Sequence, residues 1–208
     1  LCIFKKWVND VQRMSELQQA NLRGELEQLK SQLNPHFLFN TLNNVNVLTQ
    51  TDPKKASQVL LGLSDLLRYQ LYESGKENIL LSKEIDFINN LLALEKVRKN
   101  DFSYEVKVEG NPDNIKLPPF LFMPFVENAV KHGASSVGHC YITIHFKITG
   151  NQVHFTAENS KPVVKSNLPG GLGLKNINRR LSLIYGNKHE LTLNDTKEKY
   201  FANLILPI

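Results

Sequence analysis

Four separated groups of residues in this 208-residue chain have types and spacings that suit chemistry. The first is His36, in the stretch LNPHFLFNTLN, where an imidazole stands between a helix breaker and an apolar run. Asn34-Pro35 is a helix-start pair, because Asn accepts backbone N–H bonds as an N-cap and Pro suits the first helical position. His36 then falls in a first turn, where unpaired backbone donors and the positive end of the helix dipole favour an anion. A phosphate carried on that imidazole would be well received. Taken alone, a histidine in an apolar run also fits a satisfied core residue.

The second group is Glu127, Asn128, Lys131 and His132 in FVENAVKHG. On a helix, positions 128, 131 and 132 share one face. An amide oxygen, an ammonium and an imidazole on one stripe could hold Mg2+ and polyphosphate oxygens, although a solvated helix face has the same pattern. The third group is PGGLGLKN, where Gly170, Gly171 and Gly173 precede a helix. Glycines let backbone approach phosphate closely, and the helix start favours its charge. No GK[ST] follows, so this is not a P-loop, and no preceding strand makes it a dinucleotide fingerprint. The fourth is the strand end VHFTAENSK. Counting by twos from Val153 places Asn159, not Glu158, on the inward side. An inward amide there can accept from an adenine amino group and donate to a ring nitrogen, or it can close its own turn.

The elements that must position these groups divide the chain in two. Residues 6–33 hold no Pro and only Gly24, and Leu22, Leu26, Leu29 and Leu33 make a short heptad seam. That predicts a coiled coil or a helix packed on its own domain. A helix over Lys54–Tyr72 presents Val59, Leu60, Leu63, Leu66, Leu67 and Leu71 on a wide face, and a further helix is predicted from a Ser82 cap to about Arg98. From Phe102 onward the period changes to two: Phe102, Tyr104, Val106 and Val108, then Ile142 to Ile148, then Val153 to Ala157. Gly150-Asn151 is a hairpin signal. LPPFLFMPFVENAVKHG reads as a buried helix entered at Pro118-Pro119, and LGLKNINRRLSLIYG as another, with strands at Leu191/Leu193 and Ala202/Leu204/Leu206 to close. The expected class is α+β: residues 1–33 a signalling helix, 34–99 a helical region carrying His36, and 100–208 a mixed sheet with helices on one face.

Composition sets the outer bounds. Hydrophobic residues make up 41% and charged residues 22%, as in ordinary globular proteins rather than disordered ones. The net charge of +5 is spread among interspersed acids and bases with no dense Lys/Arg block, which argues against nucleic acid as a direct partner. Cys2 and Cys140 lie far apart with no metal-ligand spacing, which suits a reducing compartment and argues against a disulfide or zinc framework. The opening LCIFKKW resembles the cytoplasmic end of a transmembrane helix, or the start of an amphipathic one.

Taken in order, His36, Asn128, Asn159 and Gly171/Gly173 are far more specific than any member. LNPHFLFNTLN resembles the phosphoacceptor segment of sensor histidine kinases of the LytS/YehU class, which join such a segment to a GHKL-type ATP-binding domain. PFVENAVKHG resembles the N box of that domain, and GGLGLKNINRRLSLIYG its last glycine box and following helix. The likeness runs from about Leu29 to the C-terminus. It implies ATP and Mg2+ as cofactors, His36 as the phosphorylated residue and Asn128 as the Mg2+ ligand. Lys131 and His132 would face the phosphates, with Gly171 and Gly173 at the base of a lid. It further implies a homodimer, a response regulator as partner, and a cytoplasmic position in a bacterial inner-membrane protein, anchored by an upstream segment.

The chain departs from the wider GHKL pattern where ENSK replaces an Asp-led glycine box, so Asn159 takes the place of an adenine-binding Asp. It keeps an acceptor but loses the charge. No acid follows His36, since Phe37 stands there; Glu127 is the candidate base, and Asn40, one turn on, a candidate to orient water for regulator dephosphorylation. The apolar Phe37, Leu38 and Phe39 suit a dimer's helical bundle, and a hinge is expected at 99–101. Two other classes share the pattern: a GHKL regulator whose output is nucleotide binding, with His36 structural, and a degenerate scaffold without turnover.

Overall fold

The computed structural model describes residues 35–99, 101–133, 140–160, 172–196 and 199–208 of the chain. The chain forms two compact units, residues 1–43 and 44–208. The predicted heptad seam at 22–33, and the Asn34 cap, lie outside the described residues.

Helix α1 spans Pro35–Thr51, with proline at its first position as the sequence predicts. Helix α2 spans Pro53–Tyr72. It is capped by Asp52, whose carboxylate accepts from the Lys55 amide at 3.0 Å. A two-residue strand, β1 (Ile79–Leu80), leads directly into α3 (Leu81–Arg98). Ser82 is not the cap of α3. The helix begins one residue earlier, with extended Leu80 before it and no side-chain cap. Its entry is held instead by the sheet, since the Leu81 amide donates to the Ile115 carbonyl at 2.8 Å and β1 pairs antiparallel with β3 (Lys116–Leu117).

The main sheet has five strands in the order β2 (Phe102–Glu109), β4 (Cys140–Thr149), β5 (Gln152–Ser160), β7 (Lys199–Pro207) and β6 (Glu190–Asp195). The β2–β4 pair is parallel and every other pair antiparallel, so the sheet is mixed and the class is α+β. The β4–β5 hairpin turns at Gly150, whose φ of +57° is the left-handed conformation that glycine accepts freely. β6 is an edge strand, formed where Leu191/Leu193 predict one, and Leu193 is exposed on it.

Alternate residues of β4, β5 and β7 are buried on one face: Ile142, Ile144 and Phe146; Val153, Phe155 and Ala157; Ala202, Leu204 and Leu206. Helix α4 (Met123–Gly133) packs on β4 and β5 and contributes Phe125, Val126 and Ala129 to the core. Helix α5 (Leu172–Tyr185) lies beside α4 and buries Ile177 and Leu181. Helix α3 packs on β2, and α2 packs on α3.

The predicted entry of α4 at Pro118-Pro119 is corrected: the helix begins only at Met123. Each proline biases its predecessor away from the helical region, and Phe120 takes a φ of +57°, so Pro118–Phe122 forms an irregular lead-in. The residues flanking 100 are tied to the sheet and to α4. Lys99 Nζ reaches the Val130 carbonyl at 3.4 Å, and the Cys140 amide donates to the Asp101 carbonyl at 2.9 Å.

The lead-in ends in the core. Phe122 is fully buried, with its ring centroid 5.0 Å from Phe146 and 4.7 Å from Phe155. Phe122→Ala is expected to cost about 3–5 kcal/mol by denaturant unfolding, while Leu183→Ala on the exposed face of α5 should stay within about 0.5 kcal/mol. Equal costs would mean that the ring does not anchor this lead-in.

Candidate functional site

Period-two burial along β5 ends on a polar residue. Asn159 has 0% exposure, and its register partners are Ile142 on β4 and Tyr200 on β7. Its Nδ2 donates to the Ser160 carbonyl at 2.8 Å, but Oδ1 has no hydrogen-bond partner among the described residues. Tyr200, on the same face of the sheet, is also buried and its Oη is likewise unpartnered. Burial pushes the Tyr200 phenol above its ordinary value, so it stays a neutral donor. An orphaned buried amide oxygen costs about 1–3 kcal/mol, a penalty that a ligand N–H donor would remove.

Glu158 takes the opposite face, where Tyr141 Oη donates to it at 3.0 Å and Lys199 Nζ lies 3.1 Å away. The inward assignment of Asn159 over Glu158 therefore matches the observed alternation.

Helix α4, packed over β5, carries the second group. Asn128 is half-buried and Lys131 exposed, three residues apart on one side of the helix. His132 lies in the last turn of α4. Glu127 is exposed, yet desolvation by the surrounding protein raises its carboxyl above the ordinary value; its exposure limits the size of that shift. Gly173 is the second residue of α5, a helix of 14 residues whose first turn offers backbone donors. Gly171 lies outside the described residues, as does the whole segment 161–171 between Ser160 and α5.

The end of β5, the α4 stripe and the start of α5 all belong to unit 44–208. His36 and Asn40 belong to unit 1–43, on α1. His36 is the second residue of that helix, and Asn40, half-buried, is one turn further on. The following turn is reinforced by the Thr41 hydroxyl, which donates to the Phe37 carbonyl at 2.8 Å.

This donor set fits a nucleotide. The orphaned Asn159 oxygen suits an exocyclic amine, and the Asn128 amide, Lys131 ammonium and α5 start suit phosphates. Among the described residues no three His, Cys, Asp or Glu side chains gather into a metal site. Asn128 as a single protein ligand suits Mg2+, which takes few protein ligands and completes its shell from phosphates and water.

Sequence reasoning misses Tyr200. Its signal was available by counting back in twos from Ala202. Also missed was Glu84, fully buried in α3, which resembles any first-turn acid in sequence.

A family model described as Histidine kinase matches residues 24–102. The Escherichia coli protein named sensor histidine kinase YpdA is 31% identical over 188 residues, covering 85% of this chain and 33% of that protein. The Staphylococcus aureus protein named sensor histidine kinase/phosphatase LytS is 30% identical over 202 residues, covering 88% and 34%. The histidine kinase domain of the Erythrobacter litoralis blue-light activated kinase EL346 aligns with a TM-score of 0.48 at 16% identity, covering 88% of this chain and 92% of that one. The chain spans about a third of the length of the full-length relatives it matches. Over that third, the chain belongs to the LytS-type sensor histidine kinases.

Proposed function

We propose that the chain is the kinase part of a two-component sensor. In this reading it transfers the γ-phosphoryl group of ATP to His36, for onward passage to an aspartate of a response regulator. The observation that carries the reading is the buried oxygen of Asn159, unpartnered among the described residues, at the end of β5, the strand on which α4 packs with α5 beside it.

The neutral ring of His36 attacks the γ-phosphorus, the bond to the β,γ-bridging oxygen breaks, and ADP leaves. A free imidazole titrates near about 6.5, so the attacking form is available at pH 7. Such a transfer is chiefly positioning and charge neutralisation. Lys131 offsets phosphate charge, and the first-turn amides of α5 face the anion. Mg2+, held by Asn128, would shield the γ-phosphate and the departing ADP. Glu127 acts as base, its raised carboxyl being closer to the range where a base is effective. Asn40, on α1 one turn beyond His36, would orient water for the reverse task of dephosphorylating the regulator.

Exposed apolar side chains support a homodimer. Phe39, Leu42 and Val47 on α1, and Leu60, Leu61, Leu71 and Tyr72 on α2, are open to solvent. A groove of about 380 Å3 follows α2 along Leu60, Leu63, Leu67 and Leu71. Solvent-exposed stripes of this kind mark interaction faces. No helix among the described residues is long and apolar enough to cross a membrane.

The first test is incubation with γ-labelled ATP and Mg2+. Acid-labile, alkali-stable label that disappears in His36→Gln is expected. ATP binding without label would instead leave the nucleotide-binding regulator, and neither binding nor label the scaffold. Asn40→Ala should keep the label but slow phosphate release from a labelled regulator. In a direct binding measurement, Asn159→Ala should weaken ATP by about 10–100-fold, the loss of one buried hydrogen bond to the base; unchanged affinity would remove the base from β5.

Glu127 acts only when deprotonated. Because its carboxyl is raised, the labelling rate should fall as pH drops through a value above about 4.3. Glu127→Gln should remove the contribution of Glu127 to that fall, leave the part set by protonation of the His36 ring, and slow labelling by about 10²–10⁴-fold at unchanged ATP affinity. A variant as fast as wild type would exclude Glu127 as the base.

A further inference from the structure

A buried carboxylate far from any role described above organises the entry to α4. Glu84, in the first turn of α3, has 0% exposure. It accepts from the Tyr69 hydroxyl on α2, from the Phe120 amide at 3.0 Å, and more weakly from the Phe122 amide at 3.5 Å. The same short segment is gripped from its other side by Arg180 of α5. Its guanidinium donates to the Pro119 carbonyl at 2.8 Å and to the Phe120 carbonyl at 3.4 Å.

Between these grips the backbone is strained. Phe120 has a φ of +57°, the only positive value for a non-glycine among the described residues. A side chain in that region costs about 1–2 kcal/mol, and persists only where the surroundings over-determine it. Here they do so at three points. The amide is held by Glu84, the carbonyl by Arg180, and the ring packs edge-on against Tyr69 at 5.3 Å and Phe87 at 5.5 Å.

Three residues later α4 begins, and its first turn is continuous with the strained segment, since Phe125 and Val126 donate to the Phe122 carbonyl at 3.1 and 3.3 Å. Asn128 and Lys131 ride on that helix. Arg180 sits two turns beyond Gly173, on the helix whose start faces the phosphates. One knot therefore joins α2, α3, the entry of α4 and the body of α5, and the two helices carrying the phosphate-side groups are both fastened to it.

We propose that Glu84 and Arg180 are positioning residues for phosphoryl transfer. By holding the Pro119–Phe122 turn from opposite sides, they fix α4 against α5 so that Asn128, Lys131 and the α5 start address one nucleotide. Neither side chain is placed on the nucleotide itself; each acts through the turn. The identity of the ligand as Mg-ATP rests on the function proposed above.

The test uses Glu84→Gln, Arg180→Met and Arg180→Lys, with Ile88→Val, fully buried on the same helix as Glu84, as a packing control. Glutamine keeps shape and one acceptor but cannot serve three donors. Amide hydrogen exchange, thermal melting, Mg-ATP affinity and the KM and kcat of His36 labelling are measured on each. Expected for Glu84→Gln and Arg180→Met is faster exchange confined to residues 119–131, with Mg-ATP affinity lowered about 10–100-fold in the folded protein. KM for ATP should rise, Arg180→Lys should recover part of the loss, and Ile88→Val should melt earlier while binding Mg-ATP as wild type does.

Wild-type affinity in both clamp variants would overturn the positioning role, as would unchanged exchange across 119–131. A wild-type chain that binds no Mg-ATP would overturn the nucleotide reading itself, and the claim of positioning a nucleotide with it. The two failures are distinguished by the wild-type measurement alone.

Discussion

The helix-facing side of the five-stranded sheet is apolar from Ile144 to Leu206, and that side must be kept from water. Its opposite face carries Glu158, Lys147 and other polar side chains, so only one layer of helices is required. That asymmetry places α4 over β4 and β5 and stations α5 beside it. It also decides where chemistry can occur. A ligand needing both buried and charged surroundings must sit where the apolar face runs out, and on β5 it runs out at Asn159.

The parallel pairing of β2 with β4 adds a second restriction. A parallel connection needs a crossover, and here the crossover contains the lead-in and α4. The helix bearing Asn128 is thus the obligatory link between two neighbouring strands, and its path is short. The lead-in must turn sharply after two prolines, and the left-handed Phe120 is how it does so.

Much of this architecture was legible because it rests on period alone. The alternation in β4, β5 and β7 and the inward face of Asn159 follow from counting by twos, and Gly150-Asn151 marks its own turn. What was not legible depends on contacts distant in sequence. Ser82 looks like a cap, but the Ile115 carbonyl 34 residues away takes over the entry of α3. Leu193 alternates with Leu191 yet is exposed, because it lies on the edge strand and no described element packs over it. Glu84 reads as a favourable first-turn acid on a solvated helix; that Tyr69, Phe120 and Phe122 would converge on it is tertiary information. The site residues followed the same division. Asn128, Lys131 and Asn159 follow from local spacing, and period two along β7 turns Tyr200 inward, but that it stands opposite Asn159 emerges only once β7 is laid beside β5.

The buried polar groups of unit 44–208 then separate by how well they are satisfied. Glu84 has three donors around it, and Glu95 has Arg98 at 2.6 Å and Lys99 at 3.1 Å. His145 Nε2 lacks an aligned hydrogen bond but lies 3.0 Å from a Glu109 oxygen. Among the described residues Asn159 Oδ1 and Tyr200 Oη have no such neighbour, and they belong to register partners on one face. Buried charge without donors is far costlier than a buried neutral amide, so a fold can leave an amide half-paired where it could not leave a carboxylate. This gives a physical reason for Asn rather than Asp at position 159: the neutral side chain tolerates an empty partner position at a cost of about 1–3 kcal/mol. A carboxylate there would demand a cation or several donors. Buried polarity thus takes two forms here: the saturated Glu84 holds backbone in place, while Asn159 leaves an acceptor unpaired among the described residues.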